Sequence, residues 1–162
     1  RSAAEGIQTG LQLARAEAVK RNVAVRFQLT STADGTCALS PSGRNWVISI
    51  DDPAGSCASA ASDTDEPRII QVRAAQEGGA GVTVAGFLAG TPSSGQSVAV
   101  FNGLGQITTP NNGGINFRLT NPAVDYCKDQ GGDLRCLQIN VSRSGQIRMC
   151  DPSRTGTDPE AC

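Results

Sequence analysis

Two spacings divide the chain. Over residues 1–22 the apolar positions Ile7, Leu11, Ala14 and Ala18 recur at steps of four, three and four, which keeps one face of a helix apolar. Gln8, Gln12, Arg15 and Glu17 then face elsewhere. After Asn22 that period stops and alternation takes over. Val23, Val25, Phe27 and Leu29 share one face of a strand, with Arg26 and Gln28 on the other. Asp34-Gly35 reads as a hairpin turn into a second strand, Thr36-Cys37-Ala38-Leu39. Further strands are predicted at Asn45–Ile50, Arg68–Val72 and Val82–Val84.

Between them, residues 51–66 are built of Asp, Gly, Ala, Ser and Pro without an apolar period, a long loop that Cys57 would tie down. The glycine-rich Glu77-Gly78-Gly79-Ala80-Gly81 lacks the Lys-Ser/Thr of a phosphate loop and precedes a strand, so it reads as a turn.

The second half contains an echo. Val98-Ala99-Val100-Phe101-Asn102-Gly103-Leu104-Gly105-Gln106-Ile107 has the layout of Gln138-Ile139-Asn140-Val141-Ser142-Arg143-Ser144-Gly145-Gln146-Ile147. In both, an alternating strand enters a short turn and Gly-Gln-Ile begins the return strand, which predicts two similar hairpins rather than a repeat protein. In the last hairpin Leu137, Ile139, Val141, Ile147 and Met149 share the buried side. Cys136, Gln138, Asn140, Gln146, Arg148 and Cys150 fall on the other.

One helix followed by many strands predicts an α+β domain: helix 1–22 packed on antiparallel sheet built from hairpins over 23–150, and a polar tail, 151–162, held by Cys162. The 162 residues suit a single domain, and with 4% aromatic residues its packing is mainly aliphatic. Trp46, the lone tryptophan, is read as closing the core. The chain opens inside a helical pattern at Arg1, so a preceding segment is expected.

A net charge of −1 argues against wholesale binding of polyanions. There is no histidine, and neither Lys20 nor Lys128 stands in a Ser–Lys motif that would activate a nucleophile. Lys20 sits where it complements the helix dipole. No catalysis, cofactor or small-molecule substrate is expected. Asp51, Asp52, Asp63, Asp65 and Glu66 make an acidic region of the kind calcium favours, but in no recognisable calcium-loop spacing, and a solvated turn is the simpler reading. Asn140-Val141-Ser142 fits a glycosylation pattern but lies in a predicted strand, and no modification is read from it.

Six cysteines without a Cys-x-x-Cys pair indicate disulfides formed in an oxidising compartment. Locality favours Cys37–Cys57, Cys127–Cys136 and Cys150–Cys162. A cross-strand Cys136–Cys150 bond, leaving Cys127–Cys162 to hold the tail, is the rival set.

The helix segment Leu11-Gln-Leu-Ala-Arg-Ala-Glu-Ala-Val-Lys-Arg-Asn22 leading directly into a strand resembles the GspH/FimT-type minor pilins and pseudopilins. Val98–Gly105 and Ile139–Arg148 stand where that family has its later hairpins, and the cysteine-rich C-terminus is most similar to FimU-like members. The resemblance implies a non-enzymatic subunit that helps initiate a type IV pilus and sits at or near its tip. It implies contact with other minor pilins and the major pilin, and an inner-membrane anchor through a hydrophobic helix half. The domain would face the periplasm before assembly and the cell surface afterwards. A secretion pseudopilin is the neighbouring reading. If the apolar helix face packs on the sheet, Gln8, Gln12 and Arg15 become subunit-interface candidates.

Some relatives bind DNA through a C-terminal Gly-Arg-x-Arg. Here the matching stretch is Gly145-Gln146-Ile147-Arg148, with glutamine in place of the first arginine. Arg143, Arg148 and Arg154 remain as candidate phosphate contacts, but three cations on a net-acidic domain would bind weakly, so DNA is not the expected partner.

Overall fold

The computed structural model describes residues 1–75, 81–111 and 113–162. The predicted turn at Glu77–Gly81 lies almost wholly outside the described residues. Helix α1 (Ser2–Arg21) ends at Asn22, whose left-handed backbone (φ 53°) lets its amide cap the carbonyls of Ala18 and Val19. Glu5 in the first turn and Lys20 and Arg21 in the last complement the helix dipole.

Among the described residues ten strands follow: β1 (Val25–Thr30), β2 (Asn45–Ser49), β3 (Ile69–Arg73), β4 (Thr83–Leu88), β5 (Thr91–Gly95), β6 (Val98–Phe101), β7 (Ile107–Thr109), β8 (Ile115–Thr120), β9 (Leu137–Val141) and β10 (Ile147–Cys150). They form two antiparallel five-stranded sheets, ordered β3-β2-β1-β6-β7 and β10-β9-β8-β4-β5.

Helix α1 packs against β1, β2 and β6 of the first sheet and β9 and β10 of the second. Its predicted face is buried: Ile7, Leu11, Ala14 and Ala18, joined by Ala4. Between the sheets, the Phe27 ring lies 5.5 Å from Trp46 and meets Phe117 of β8 edge-on at 5.5 Å. Gly10 sets how closely the helix approaches: a Cβ there would stand 2.9 Å from the Phe27 ring and 3.0 Å from Trp46. Trp46 is a core residue.

A second, smaller cluster lies on the back of the first sheet. Cys37, Val47, Cys57 and Ile69 are buried there together with half-buried Val72. Outward-facing Gln28 and Thr30 of β1 are consequently buried as well.

Three expectations need correction. Thr36–Leu39 is not a strand; only an isolated Thr30–Leu39 bridge survives. The Asp34 carboxylate accepts bonds from the Thr36 amide and hydroxyl and from the Thr32 hydroxyl, which closes a local turn, and Cys37 leaves for Cys57. β1 pairs instead with β2 and β6. Val23 does not join the face of Val25, because its amide is still bonded to Ala18 of the helix and its side chain stays exposed. Strands β5 and β8 were not among the predicted elements.

In the last hairpin the predicted faces hold, Ile139 and Val141 pointing into the core. Cys150, on the opposite face, is also buried, where its disulfide draws the tail over it.

Candidate subunit interface

The exposed side of α1 carries Glu5, Thr9, Gln12, Ala16 and Val19 at alternating three- and four-residue steps, so they form one stripe along the helix. Of the predicted interface residues, Gln12 is exposed and Gln8 half-buried. Arg15 is exposed too, but its Nε donates to the carbonyl of Gly105 at 3.1 Å. That bond ties the helix to the tip of the β6–β7 hairpin.

The two echoing hairpins have the same turn. Gly105 donates to the Asn102 carbonyl and Gly145 to that of Ser142, and each turn is closed by a bond to the Gln106 or Gln146 carbonyl. Gly105 and Gly145 have φ of 74° and 81°, the left-handed conformation that glycine adopts without a side-chain clash.

Although they belong to different sheets, the turns meet. The Ile107 amide donates to the Arg143 carbonyl at 3.0 Å, and a Cβ on Gly145 would lie 1.8 Å from the Gly105 oxygen. Gly-Gln-Ile in both copies was the visible signal; the contact between the copies had none.

Beside this junction a groove of about 720 Å³ runs between the second half of α1 and the last hairpin, lined by Gln12, Arg15, Ala16, Val19, Lys20, Ser144, Gln146 and Ile147. Ser144 also lines a neighbouring polar hollow of about 610 Å³ that includes Asn102, Gln106, Asn111 and Arg143. Val19 is 51% exposed, and Leu104 at the hairpin apex 77%.

The arginines considered for phosphate contact are not gathered into an open patch. Arg148 Nη2 donates to the carbonyls of Pro159 (3.0 Å) and Ala161 (2.6 Å). Arg154 pairs with Asp158 (2.7 Å) and Glu160 (3.1 Å). Arg143 makes no ion pair among the described residues and stands apart, in the polar hollow.

Arg135 bridges Asp151 and Glu160, each at 2.6 Å. Burial alone would push the Asp151 carboxyl up, but bonds from the Ser153 hydroxyl and amide and from Arg135 outweigh it and hold it below the usual carboxylate range.

Two of the five acidic residues of the loop region are paired with arginines. Arg68 forks onto Asp51 at 2.6 and 2.7 Å and lowers its pKa, and Arg21 binds Asp63. Among the described residues no three metal-binding side chains come together. The disulfides are Cys37–Cys57, Cys127–Cys136 and Cys150–Cys162, the local set.

The pattern of the type II transport protein GspH family matches residues 3–145. The chain belongs to the GspH family. Two crystal structures of the type IV minor pilin FimU from Pseudomonas aeruginosa share its fold. In one crystal form the TM-score is 0.58 at 19% identity, covering 96% of each chain. In the other it is 0.57 at 18%, covering 96% of this chain and 91% of that one. No curated protein sequence matches.

This GspH-family chain thus has a pilin-like fold and is a structural, non-enzymatic protein. Among the described residues no helix is long and apolar enough to cross a membrane.

Proposed function

We propose that this protein is a minor pilin that helps initiate a type IV pilus and remains at or near its tip, joining other minor pilins to the major pilin. The observation that carries the reading is the uncovered stripe of α1. One helix face is fully committed to the core. The other offers Gln12 and Ala16 to a neighbour, with half-buried Gln8 beside them and Arg15 already positioned by the Gly105 carbonyl. A hydrophobic helix half preceding Arg1 would anchor the subunit in the inner membrane, with the disulfide-bonded domain in the periplasm before assembly and on the cell surface afterwards. Three disulfides suit that route.

The family description favours a second reading, a pseudopilin of a type II secretion machine. Deleting the gene separates the two: loss of pili with secretion intact supports the pilus, and the reverse supports the pseudopilus.

Capture of other minor pilin domains by this chain, paired with a salt titration against fluorescent double-stranded DNA, tests the assembly role. Partner capture without DNA binding at low salt is expected. Arg15→Glu should weaken capture about tenfold, equivalent to about 1.4 kcal/mol. Gln12→Arg, away from the hairpin junction, should weaken it without disturbing the fold. Unchanged capture by both variants would remove the helix stripe from the interface. DNA binding that falls steeply with salt and vanishes in Arg148→Ala would reverse the reading toward DNA uptake.

A further inference from the structure

The Gly-Gln-Ile returns of the two hairpins put one glutamine on each side of the junction between their turns. Gln146 lines the groove beside α1 together with Arg15, and Gln106 lines the neighbouring polar hollow together with Arg143. Ser144 lines both, so the two hollows adjoin across the turn at 142–145. The same pair of groups, a guanidinium and a primary amide, thus stands on either side of one turn.

Neither guanidinium is neutralised. Arg143 is exposed, and its side chain makes no hydrogen bond or ion pair among the described residues. Arg15 gives its Nε to the Gly105 carbonyl at 3.1 Å, and no carboxylate pairs with it among those residues. Lys20, by contrast, is engaged by Glu17 and lies in the field of Asp63, so it adds no open charge. Among the described residues no carboxylate lines either hollow. Both glutamines are exposed as well, and the Gln106 side chain only accepts from Asn102 Nδ2 at 3.5 Å.

The frame beneath these four groups is set before anything binds. Asn102 Oδ1 accepts the amides of Leu104 (3.0 Å) and Gln106 (2.9 Å), and the Ser142 hydroxyl accepts the Gln146 amide at 3.2 Å. The Ile107 amide on the Arg143 carbonyl locks one turn to the other. A frame ordered in advance lowers the entropy cost of binding.

An open guanidinium fork matches a carboxylate through two parallel hydrogen bonds. A glutamine amide both donates and accepts, as a peptide group requires. A nucleic acid strand would need a run of cations, whereas this site has two on a chain of net charge −1.

We propose that the twin-turn junction is a receptor for an acidic segment of a neighbouring pilin. Arg143 and Arg15 pair with its carboxylates, and Gln106 and Gln146 hold its backbone. The receptor continues the helix stripe through Gln12 and Ala16, which line the same groove, and so rests on the pilin-contact reading above.

The test places photoreactive benzoylphenylalanine at position 144 of the whole chain, mixes it with purified domains of the other minor pilins and the major pilin, and maps the crosslinks by mass spectrometry. A crosslink to a segment of one of these pilins that carries Asp or Glu is expected. Arg143→Glu should then lower capture of that pilin about tenfold, the loss of a close interfacial charge pair. Its melting temperature should not move, because the side chain has no internal bond to lose. Arg143→Lys keeps the charge without the fork and should weaken capture about threefold. Replacing the crosslinked carboxylate by lysine should weaken capture by the native chain and restore it with Arg143→Glu. Crosslinks only to a second copy of this chain, a crosslinked segment without a carboxylate, or capture indifferent to Arg143→Glu would overturn the receptor. So would an Arg143→Glu chain that loses binding to fluorescent double-stranded DNA but keeps pilin capture intact. If Gln12→Arg weakens capture and Arg143→Glu does not, the receptor alone is lost; a native chain that captures no pilin loses the contact reading as well.

Discussion

Two cysteine-closed segments lie on the outside of the sheets, and they are held by different physics. The Cys37–Cys57 loop sits over the back of the first sheet, where both cysteines are buried against Val47 and Ile69. The Cys150–Cys162 tail lies beside β10 and is held by polar groups: Arg148 on two tail carbonyls, Arg135 across Asp151 and Glu160, and the Asp151 amide on the Glu160 carbonyl at 2.7 Å. In the chain-entropy model both crosslinks are worth about 3 kcal/mol, so closure alone does not distinguish them. The loop adds buried apolar contacts that are continuous with the sheet. The tail adds ion pairs whose arginines are partly exposed and screened by water, gathered around the buried Asp151 carboxylate, and it can undock without opening the apolar core. Equal covalent devices therefore give one segment that unfolds with the domain and one that opens by itself.

The largest test of that difference is Cys37→Ser with Cys57→Ser. Losing the crosslink and disturbing the apolar cluster should lower unfolding free energy in urea by about 3–5 kcal/mol. Cys150→Ser with Cys162→Ser should shift the same midpoint by less than half as much. Trypsin should instead cut at Arg154 about tenfold faster, because local opening governs cleavage there. Equal losses of global stability in the two variants would break the comparison.

A pH series on the tail variant sharpens it. Asp151 and Asp158 have folded pKa values below the ordinary carboxylate range, Asp151 because its hydrogen bonds outweigh burial and Asp158 through its bond from Arg154. A depressed folded pKa contributes stability that is complete above the unfolded value, about 4, and is lost as pH falls through the folded value. Protection at Arg154 should thus be level from pH 7 to about 5 and fade below about 4. The Cys37–Val47–Cys57–Ile69 cluster itself contains nothing that titrates, and the loop's Asp51, lowered by Arg68, lies outside it, so the loop should lose less than the tail over the same range. Arg135→Gln should have the smallest effect, raising tail cleavage at pH 7 about two- to threefold, since the side chain is 46% exposed and its ion pairs are weak. A tail as insensitive to pH and to Arg135 as the loop would mean that its disulfide alone holds it.

Legibility in the sequence followed the range of the interaction. The buried face of α1 was readable because the helical period alone places Ile7, Leu11, Ala14 and Ala18 together. The last hairpin was readable from its alternation and its Gly-Gln-Ile return. Alternation misled at Thr36–Leu39, where the Asp34 side chain closed a turn that a partner strand was expected to complete. Strand β5, Thr91-Pro92-Ser93-Ser94-Gly95, offers no apolar face at all; it is a strand because β4 is beside it. At the candidate interface, exposure of Gln12 followed from the period. The bond from Arg15 to Gly105, and the use of Arg148 and Arg154 by the protein's own tail, depended on residues that meet only after folding.

The sequence by itself determined the helix and its buried side, the two twin hairpins and the family to which they point. These are local consequences of backbone geometry, which fixes which side chains share a face wherever the period is kept. Tertiary structure alone decided that the twin turns touch at Gly105 and Gly145 and that Arg148 and Arg154 are already bonded within the tail. Those outcomes depend on how two separate sheets pack around α1, and no periodicity along the chain encodes a distance between strands that are not neighbours in it.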